Sequence, residues 1–344
     1  MLTPPSQLLQ RHLAQWREQS LTLVAPPDDE VLTECLRHGL ALSVWTSDWR
    51  VSRACEQQGI PAWHQLALPS LSGRVVLFWP KAMEEGMAWL NLLTQLQGIE
   101  LLIVGETRGG IRNAQKKLQD VGAQVAKQDS ARRCALLQVK YCPAAPWPAL
   151  GQQCFNGPDG LTLCSRPGVF SHGRLDEGSE CLLSVWQQAL QEAIPRLEGV
   201  DCLLDVGCGN GVLGAWMKHQ HLAHHLTACD VSSFALAATA DTLAANGLSD
   251  QAAVIGSDIY DGLTAEQTFD RIISNPPFHT GRSTDYALAE RMIKEAPQRL
   301  NQGGDLWIVA NAFLPYREWL TQSFDQVSVM ADDGRFRIYY ARKT

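Results

Sequence analysis

Leu203-Leu204-Asp205-Val206-Gly207-Cys208-Gly209-Asn210-Gly211 is the stretch that most restricts the fold. A short apolar strand runs into three alternating glycines, and a helical pattern starts at once at Val212–Lys218. Glycines here supply tight-turn φ values that a Cβ would oppose, and they let the backbone approach another group closely. Beyond this turn, strands and helices keep alternating. Leu226–Cys229 reads as a strand, Ser233–Asn246 as an Ala-rich helix, and Ala253–Gly256, Arg271–Ser274 and Leu306–Ala310 as further strands, with a helix at Thr284–Leu300. Gln326–Met330 and Phe336–Arg342 flank Asp332-Asp333-Gly334, a hairpin signal. The pattern predicts an α/β fold, a doubly wound and mostly parallel sheet that ends in an antiparallel strand.

The first half carries a faint copy of this order. Val75–Trp79 before Pro80 echoes Ile272–Asn275 before Pro276, Leu101–Gly105 echoes Leu306–Ala310, and Cys134–Val139 after Arg132 echoes Arg337–Ala341 after Arg335. Two tandem copies are expected, the first without chemistry: Trp79-Pro80-Lys81 lacks the Asn, and no glycine loop precedes it. Gly105-Glu106-Thr107-Arg108-Gly109-Gly110 has neither the spacing nor the following acidic residue of a nucleotide site, and reads as a loop. Between the copies, Tyr141–Gly151 holds Pro143, Pro146 and Pro148 among small residues and reads as an extended linker. The expected division is a degenerate domain at 1–142, a linker at 143–158 and a catalytic domain at 159–344.

At 344 residues the chain is long enough for two cores, and 45% hydrophobic with 19% charged residues is an ordinary globular composition. No apolar run approaches the ~20 residues of a membrane span, and Met1–Trp16 lacks a signal-peptide core, so a cytoplasmic protein is expected. The ten cysteines form no CxxC pair and sit in apolar segments, as reduced buried thiols would. Neither a disulfide framework nor a structural zinc is expected. His219, His221, His224 and His225 read as a solvated helix end before a strand, without neighbouring carboxylates or thiolates. The net charge of −7 argues against strong non-specific nucleic-acid binding. It is uneven, however: residues 1–150 hold 15 Lys+Arg against 13 Asp+Glu, and residues 151–344 hold 14 against 23. The basic excess gathers in Arg108, Arg112, Lys116, Lys117, Lys127, Arg132, Arg133 and Lys140, either a solvated helix face or an RNA contact.

Chemistry concentrates at the ends of four strands. After the glycine turn, Asp230 lies nineteen residues past Gly211, placed to accept both hydroxyl hydrogens of a ribose. Ser257-Asp258-Ile259 follows the third strand, where Asp258 can accept from an adenine amine. Asn275-Pro276-Pro277-Phe278 closes the fourth. Pro-Pro alone is usually a strand-ending turn. Here it also turns carbonyls and the Asn275 amide toward one point beside an aromatic wall, which suits a planar nitrogen group. Spacing does not separate a nicotinamide dinucleotide from S-adenosylmethionine. The missing third glycine of a pyrophosphate loop and the carboxylate of Asp205 do, because Asp205 would repel a diphosphate and attract a cationic amino acid end.

These motifs, in this order, resemble class I amino-methyltransferases. More narrowly, the chain resembles the ribosomal RNA small subunit methyltransferase C family. The likeness rests on Arg166-Pro-Gly-Val-Phe-Ser171, Leu175-Asp-x-Gly-Ser179, Asn275-Pro-Pro-Phe-His279, Ala310-Asn-Ala-Phe-Leu-Pro-Tyr316 and Gly334-Arg-Phe336. In the first half, Phe78-Trp-Pro-Lys81, Val104-Gly-Glu106 and Asp129-Ser-Ala-Arg-Arg-Cys134 carry it. The resemblance implies transfer of a methyl group from S-adenosylmethionine to the N2 amine of a guanine in 16S rRNA, within the 30S subunit or an assembly intermediate. It implies cofactor contacts at Asp205, Gly207, Cys208, Gly209, Gly211, Asp230, Val231, Asp258, Ile259 and Asn275. Asn275, Pro276 and Phe278 would serve catalysis, and Phe170, Phe278, His279 and Arg335 would meet the substrate. No metal is expected, and the protein should act as a monomer. Two other readings compete: a protein glutamine N5-methyltransferase using the same Asn-Pro-Pro corner, and an RNA-binding module without catalysis.

Overall fold

The computed structural model describes residues 1–141, 151–192, 195–276, 283–312 and 314–344. The chain separates into two compact units, Met1–Gly151 and Gln152–Thr344. The first runs α1 (Pro4–Leu13), β1 (Ser20–Val24), α2 (Val31–Arg37), β2 (Ala41–Trp45), α3 (Trp49–Gln57), β3 (Ala62–Trp63), β4 (Gly73–Phe78), α4 (Met83–Leu93), β5 (Ile99–Glu106), α5 (Ile111–Asp120), β6 (Gln124–Ala131) and β7 (Cys134–Tyr141). The second opens with a hairpin, β8 (Gln153–Asn156) and β9 (Thr162–Ser165), and then α6 (Glu177–Gln191). It continues as β10 (Val200–Val206), α7 (Val212–His219), β11 (Ala223–Asp230), α8 (Ser233–Ala245), β12 (Ala252–Gly256), β13 (Phe269–Ser274), α9 (Ser283–Arg299), β14 (Leu300–Asn311), α10 (Tyr316–Ser323), β15 (Gln326–Asp332) and β16 (Phe336–Arg342).

Both units build the same seven-stranded sheet. The orders are β3-β2-β1-β4-β5-β7-β6 and β12-β11-β10-β13-β14-β16-β15. The first five strands of each sheet are parallel, and the last hairpin enters antiparallel beside β5 or β14. The tandem α/β organisation read from the sequence is therefore present. Of the segment read as a linker, residues 143–150 lie outside the described residues, and Gln153–Asn156 form β8 within the second unit.

Central strands buried on both faces read as apolar runs, and their side chains alternate between two cores. Leu203, Ile273 and Trp307 face the layer holding Leu183, Trp186 and Trp216. Leu204, Ile272 and Ile308 face Met292, Ile293 and Leu320 on the opposite side. One charge sits inside this architecture. Arg271 at β13 is 2% exposed and makes a two-pronged bond to Asp305 at 2.7 and 2.9 Å, its remaining N–H groups going to the carbonyls of Arg196 and Glu198. Both carboxylate oxygens and two carbonyls thus accept from the guanidinium, the pairing that such burial requires.

Three expectations need correction. Cys154 and Cys164 are joined in a disulfide, because the β8–β9 register sets them directly opposite with Cα atoms 4.1 Å apart. The other described cysteines are free. Strand β11 starts at Ala223, so His224 and His225 lie inside the strand and not ahead of it. The copies also align one residue away from the sequence match. Val24 pairs with Leu77 and Val206 with Ser274, so Phe78 is level with Asn275, and Trp79 with Pro276. Of the segment read as a loop, Gly105 and Glu106 end β5 and residues 107–110 form the turn, with Gly110 at φ 98° ahead of α5.

Candidate active site

Four neighbouring strands of the second sheet end at one edge. Gly207, Gly209 and Gly211 all adopt left-handed φ, at 70°, 57° and 78°. A Cβ on Gly211 would fall 2.9 Å from Thr239, so this glycine is demanded by packing against α8. Gly207 and Gly209 face open space instead. They leave room for a ligand. The loop is tied down from β11: the N–H groups of Gly207 and Cys208 donate to the Cys229 carbonyl, and the Gly209 N–H donates to Asp230 at 3.1 Å. The other Asp230 oxygen accepts from Ser232 N–H at 2.9 Å. These bonds fix the orientation of the carboxylate at the end of β11.

Asp205 is 1% exposed beneath the loop, where it accepts the Gly214 N–H at 3.0 Å in the first turn of α7. Burial pushes its carboxyl up to about 7, against the lowering effect of the Gly214 bond and with Asp230 adding repulsion. A cationic group arriving here would draw the proton off and gain a charge partner in a site of low polarity. Cys208 is buried and accepts from the Thr239 hydroxyl; burial raises its thiol well above the usual range, so it serves as packing and not as a nucleophile.

At the end of β12, the Ser257 hydroxyl donates to the Ile259 carbonyl and accepts from Gly262 N–H, holding Ile259 at φ 56°. Asp258 is braced by Arg291 of α9 at 3.3 Å, and the same guanidinium binds Asp261 and Glu295. At β13 the Ser274 hydroxyl donates to the Val206 carbonyl at 2.7 Å, which pins the fourth strand end to the first.

Asn275 follows. Its Nδ2 donates to both oxygens of Asp176, at 3.0 and 3.1 Å, and to Ser179 Oγ at 3.0 Å. An ionised carboxylate only accepts, so this contact fixes the orientation of the amide and turns Oδ1 the other way. Asn275 Oδ1 is buried and, among the described residues, has no hydrogen-bond partner. A buried acceptor left open costs stability, and such positions mark places where a ligand supplies the missing donor. Asp176 is itself placed by the backbone, as the N-cap of α6 that receives Gly178 and Ser179 N–H. Gly178 keeps the corner uncrowded, since a Cβ there would sit 3.0 Å from Asn275 Oδ1 and 3.2 Å from Nδ2 and would press on the amide.

A cavity of about 260 Å³ joins these pieces, lined by the glycine loop, Asp205, Asp230, Val231, Asp258, Ile259, Asn275 and Pro276. Phe170 reaches its wall with 63% of its surface exposed. Arg335 is not on the lining; it pairs with Glu177 in the first turn of α6, its guanidinium 5.0 Å from the Phe336 ring centre. Phe278 and His279 lie outside the described residues. Sequence reasoning gave no role to Asp176, Ser179 or Arg291. Asp-x-Gly-Ser ahead of an apolar helix was a visible capping signal, but its bond to a residue 99 positions away was not.

The residues fit S-adenosylmethionine: open space over Gly207 and Gly209, a ribose carboxylate at Asp230, an amine-facing carboxyl at Asp205 and an unfilled acceptor beyond. Fold and site together define a class I S-adenosylmethionine-dependent methyltransferase. The methyltransferase small domain model matches residues 160–340, and the N-terminal domain model of the same group matches 6–150. Ribosomal RNA small subunit methyltransferase C from Chromohalobacter salexigens is 42% identical, over 99% of this chain and 98% of its own. The protein of that name from Vibrio vulnificus is 38% identical over 99% of both chains. The chain belongs to the ribosomal RNA small subunit methyltransferase C family. Its fold also matches a solved T. thermophilus 16S rRNA N2 guanine methyltransferase, in complex with S-adenosylmethionine and guanosine, at a TM-score of 0.82 and 24% identity, over 99% of this chain and 92% of that one.

Proposed function

We propose that this protein methylates the exocyclic N2 amine of a guanine in 16S rRNA, in the small subunit or an assembly intermediate. The observation that carries this reading is the buried Oδ1 of Asn275, without a partner among the described residues and held outward by Asp176. Guanine N2 is conjugated with its ring and a poor nucleophile. Asn275 Oδ1 and the Pro276 carbonyl accept its two hydrogens, localise the lone pair and favour a pyramidal nitrogen as the new bond forms. S-adenosylmethionine, when bound, supplies the methyl group on a sulfonium, and a neutral thioether departs as the amine takes it. One N–H proton then leaves to water or to His279. Asp205, Gly207, Cys208, Gly209, Gly211, Asp230, Val231, Asp258 and Ile259 hold the cofactor. Phe278 stacks on the base, and Phe170 and Arg335 meet the RNA near the mouth. The target guanine must be unpaired or flipped to enter.

Residues 1–142 serve as a degenerate copy that supports folding and RNA positioning, joined by the segment 143–151 to the catalytic unit, which opens with the β8–β9 hairpin. Support comes from Arg108, Arg132 and Arg133, which two turns of the first unit bring together: Thr107 donates from both N–H and Oγ1 to the Arg133 carbonyl at 2.8 Å. Among the described residues no helix is long and apolar enough to cross a membrane, and the protein is proposed to act as a monomer in the cytoplasm. The test is incubation with labelled S-adenosylmethionine and 16S rRNA, free or in 30S particles, followed by digestion to nucleosides. N2-methylguanosine is expected; label found only in protein would favour the glutamine methyltransferase and sink this reading.

A further inference from the structure

On the sheet edge opposite the cavity, three donor side chains meet at the starts of β10 and β11, with His224 next to them. Cys202 and His225 are register partners on adjacent parallel strands, so both side chains leave the same face. His225 Nδ1 lies 3.2 Å and His224 Nδ1 3.7 Å from one oxygen of Asp201, and the two imidazole nitrogens are 3.1 Å apart. Cys202 Sγ stands 3.7 Å from the other Asp201 oxygen. The ligand atoms of Asp201, Cys202 and His225 lie within 4.8 Å of one another. In a tetrahedral zinc site with bonds of about 2.1 Å, neighbouring nitrogen and oxygen ligands stand about 3.4 Å apart. The three distances among His224, His225 and Asp201 straddle that value.

We propose that Asp201, Cys202 and His225, with His224 beside them, form a binding site for a divalent transition ion of the zinc class. The donor set decides the class: an imidazole and a thiol beside a carboxylate exclude magnesium and calcium, which take oxygen ligands, and suit zinc, cobalt or nickel. The backbone is already braced for it. Cys202 N–H donates to Asp270 at 2.9 Å, and Asp270 is held in turn by Asn301. The His224 carbonyl accepts from Lys218, which also bonds the Asp250 carbonyl. Binding releases the Cys202 thiol proton to solvent and ties the starts of β10 and β11 together. Asp201, His224 and His225 are 69%, 63% and 48% exposed, so the ion enters from solvent without unfolding, and replacing these side chains leaves the core intact.

Cobalt(II) is the probe, titrated into metal-free full-length protein and read by visible absorption. One equivalent is expected to give the bands of a tetrahedral ion together with sulfur-to-cobalt charge transfer, and zinc is expected to displace it. Cys202→Ser should lose the charge-transfer band, and His225→Asn should weaken binding at least tenfold, as loss of a direct ligand demands. Methyl transfer in both variants should stay at the wild-type rate. Cobalt bound without charge transfer, or with unchanged affinity in His225→Asn, overturns the proposal.

Discussion

The two units fold one sheet order into opposite fates, and the difference lies at four matching strand positions. Strand register aligns Leu23 with Asp205, Ala25 with Gly207, Thr46 with Asp230 and Phe78 with Asn275. At Leu23 and Phe78 the first unit buries apolar side chains where the second holds polar ones. Leu23 is fully buried where the second unit buries a carboxyl. Ala25 takes φ 50° and bonds the Trp45 carbonyl just as Gly207 bonds that of Cys229, but Pro26 and Pro27 replace the open loop. Thr46 Oγ1 accepts Asp48 N–H exactly two residues on, as Asp230 does from Ser232, yet it has no second oxygen for a ribose. Phe78 is core where Asn275 holds an open acceptor, and the Trp79 ring next to it fills space against Gly86, Gly105 and Gly110. One topology therefore serves either packing or chemistry, and the edge residues choose.

The comparison can be pressed at each position. Phe78→Ala should cost about 3–5 kcal/mol of unfolding free energy, as core aromatic truncations do, measured by denaturant unfolding. A loss below 1 kcal/mol would mean that the first corner is not packing. Gly178→Ala places a methyl against the Asn275 amide, so turnover at saturating cofactor should fall roughly tenfold, while stability shifts by no more than about 1 kcal/mol. A normal rate would show that Asn275 tolerates displacement. The smallest effect concerns pH. Asp205 sits near 7 before a cation arrives, so it is charged above that pH and neutral below it. Cofactor affinity should be flat above about pH 7.5 and fall by up to about tenfold per unit below 7, and Asp205→Asn should remove the dependence. Calorimetric titration at several pH values checks this; affinity rising with acidity would reverse the assigned role.

Much of this was legible in the chain because it is local. The glycine turn, Asp230 and Asn275 are written at strand ends, where a few neighbouring residues fix the backbone. The one-residue shift of the repeat was not, since Trp79-Pro80 mimics Asn275-Pro276 in letters and only the hydrogen-bonded register tells them apart. Asp176 on Asn275, Arg291 on Asp258, and Asp201 with Cys202 beside His224 and His225 join segments remote in sequence, and no local pattern encodes such pairs. The Cys154–Cys164 bond depended likewise on a hairpin register that ten residues of spacing leave open.

The central claim is that Asn275 Oδ1, turned outward by Asp176, is the acceptor that holds the amine. Asn275→Ala tests it most directly, by following methyl transfer to 16S rRNA and cofactor affinity in the same preparation. Turnover should fall on the order of 10²-fold or more, as loss of a preorganised polar group does, with the dissociation constant for S-adenosylmethionine within about twofold of wild type. Turnover left at the wild-type rate would contradict the account.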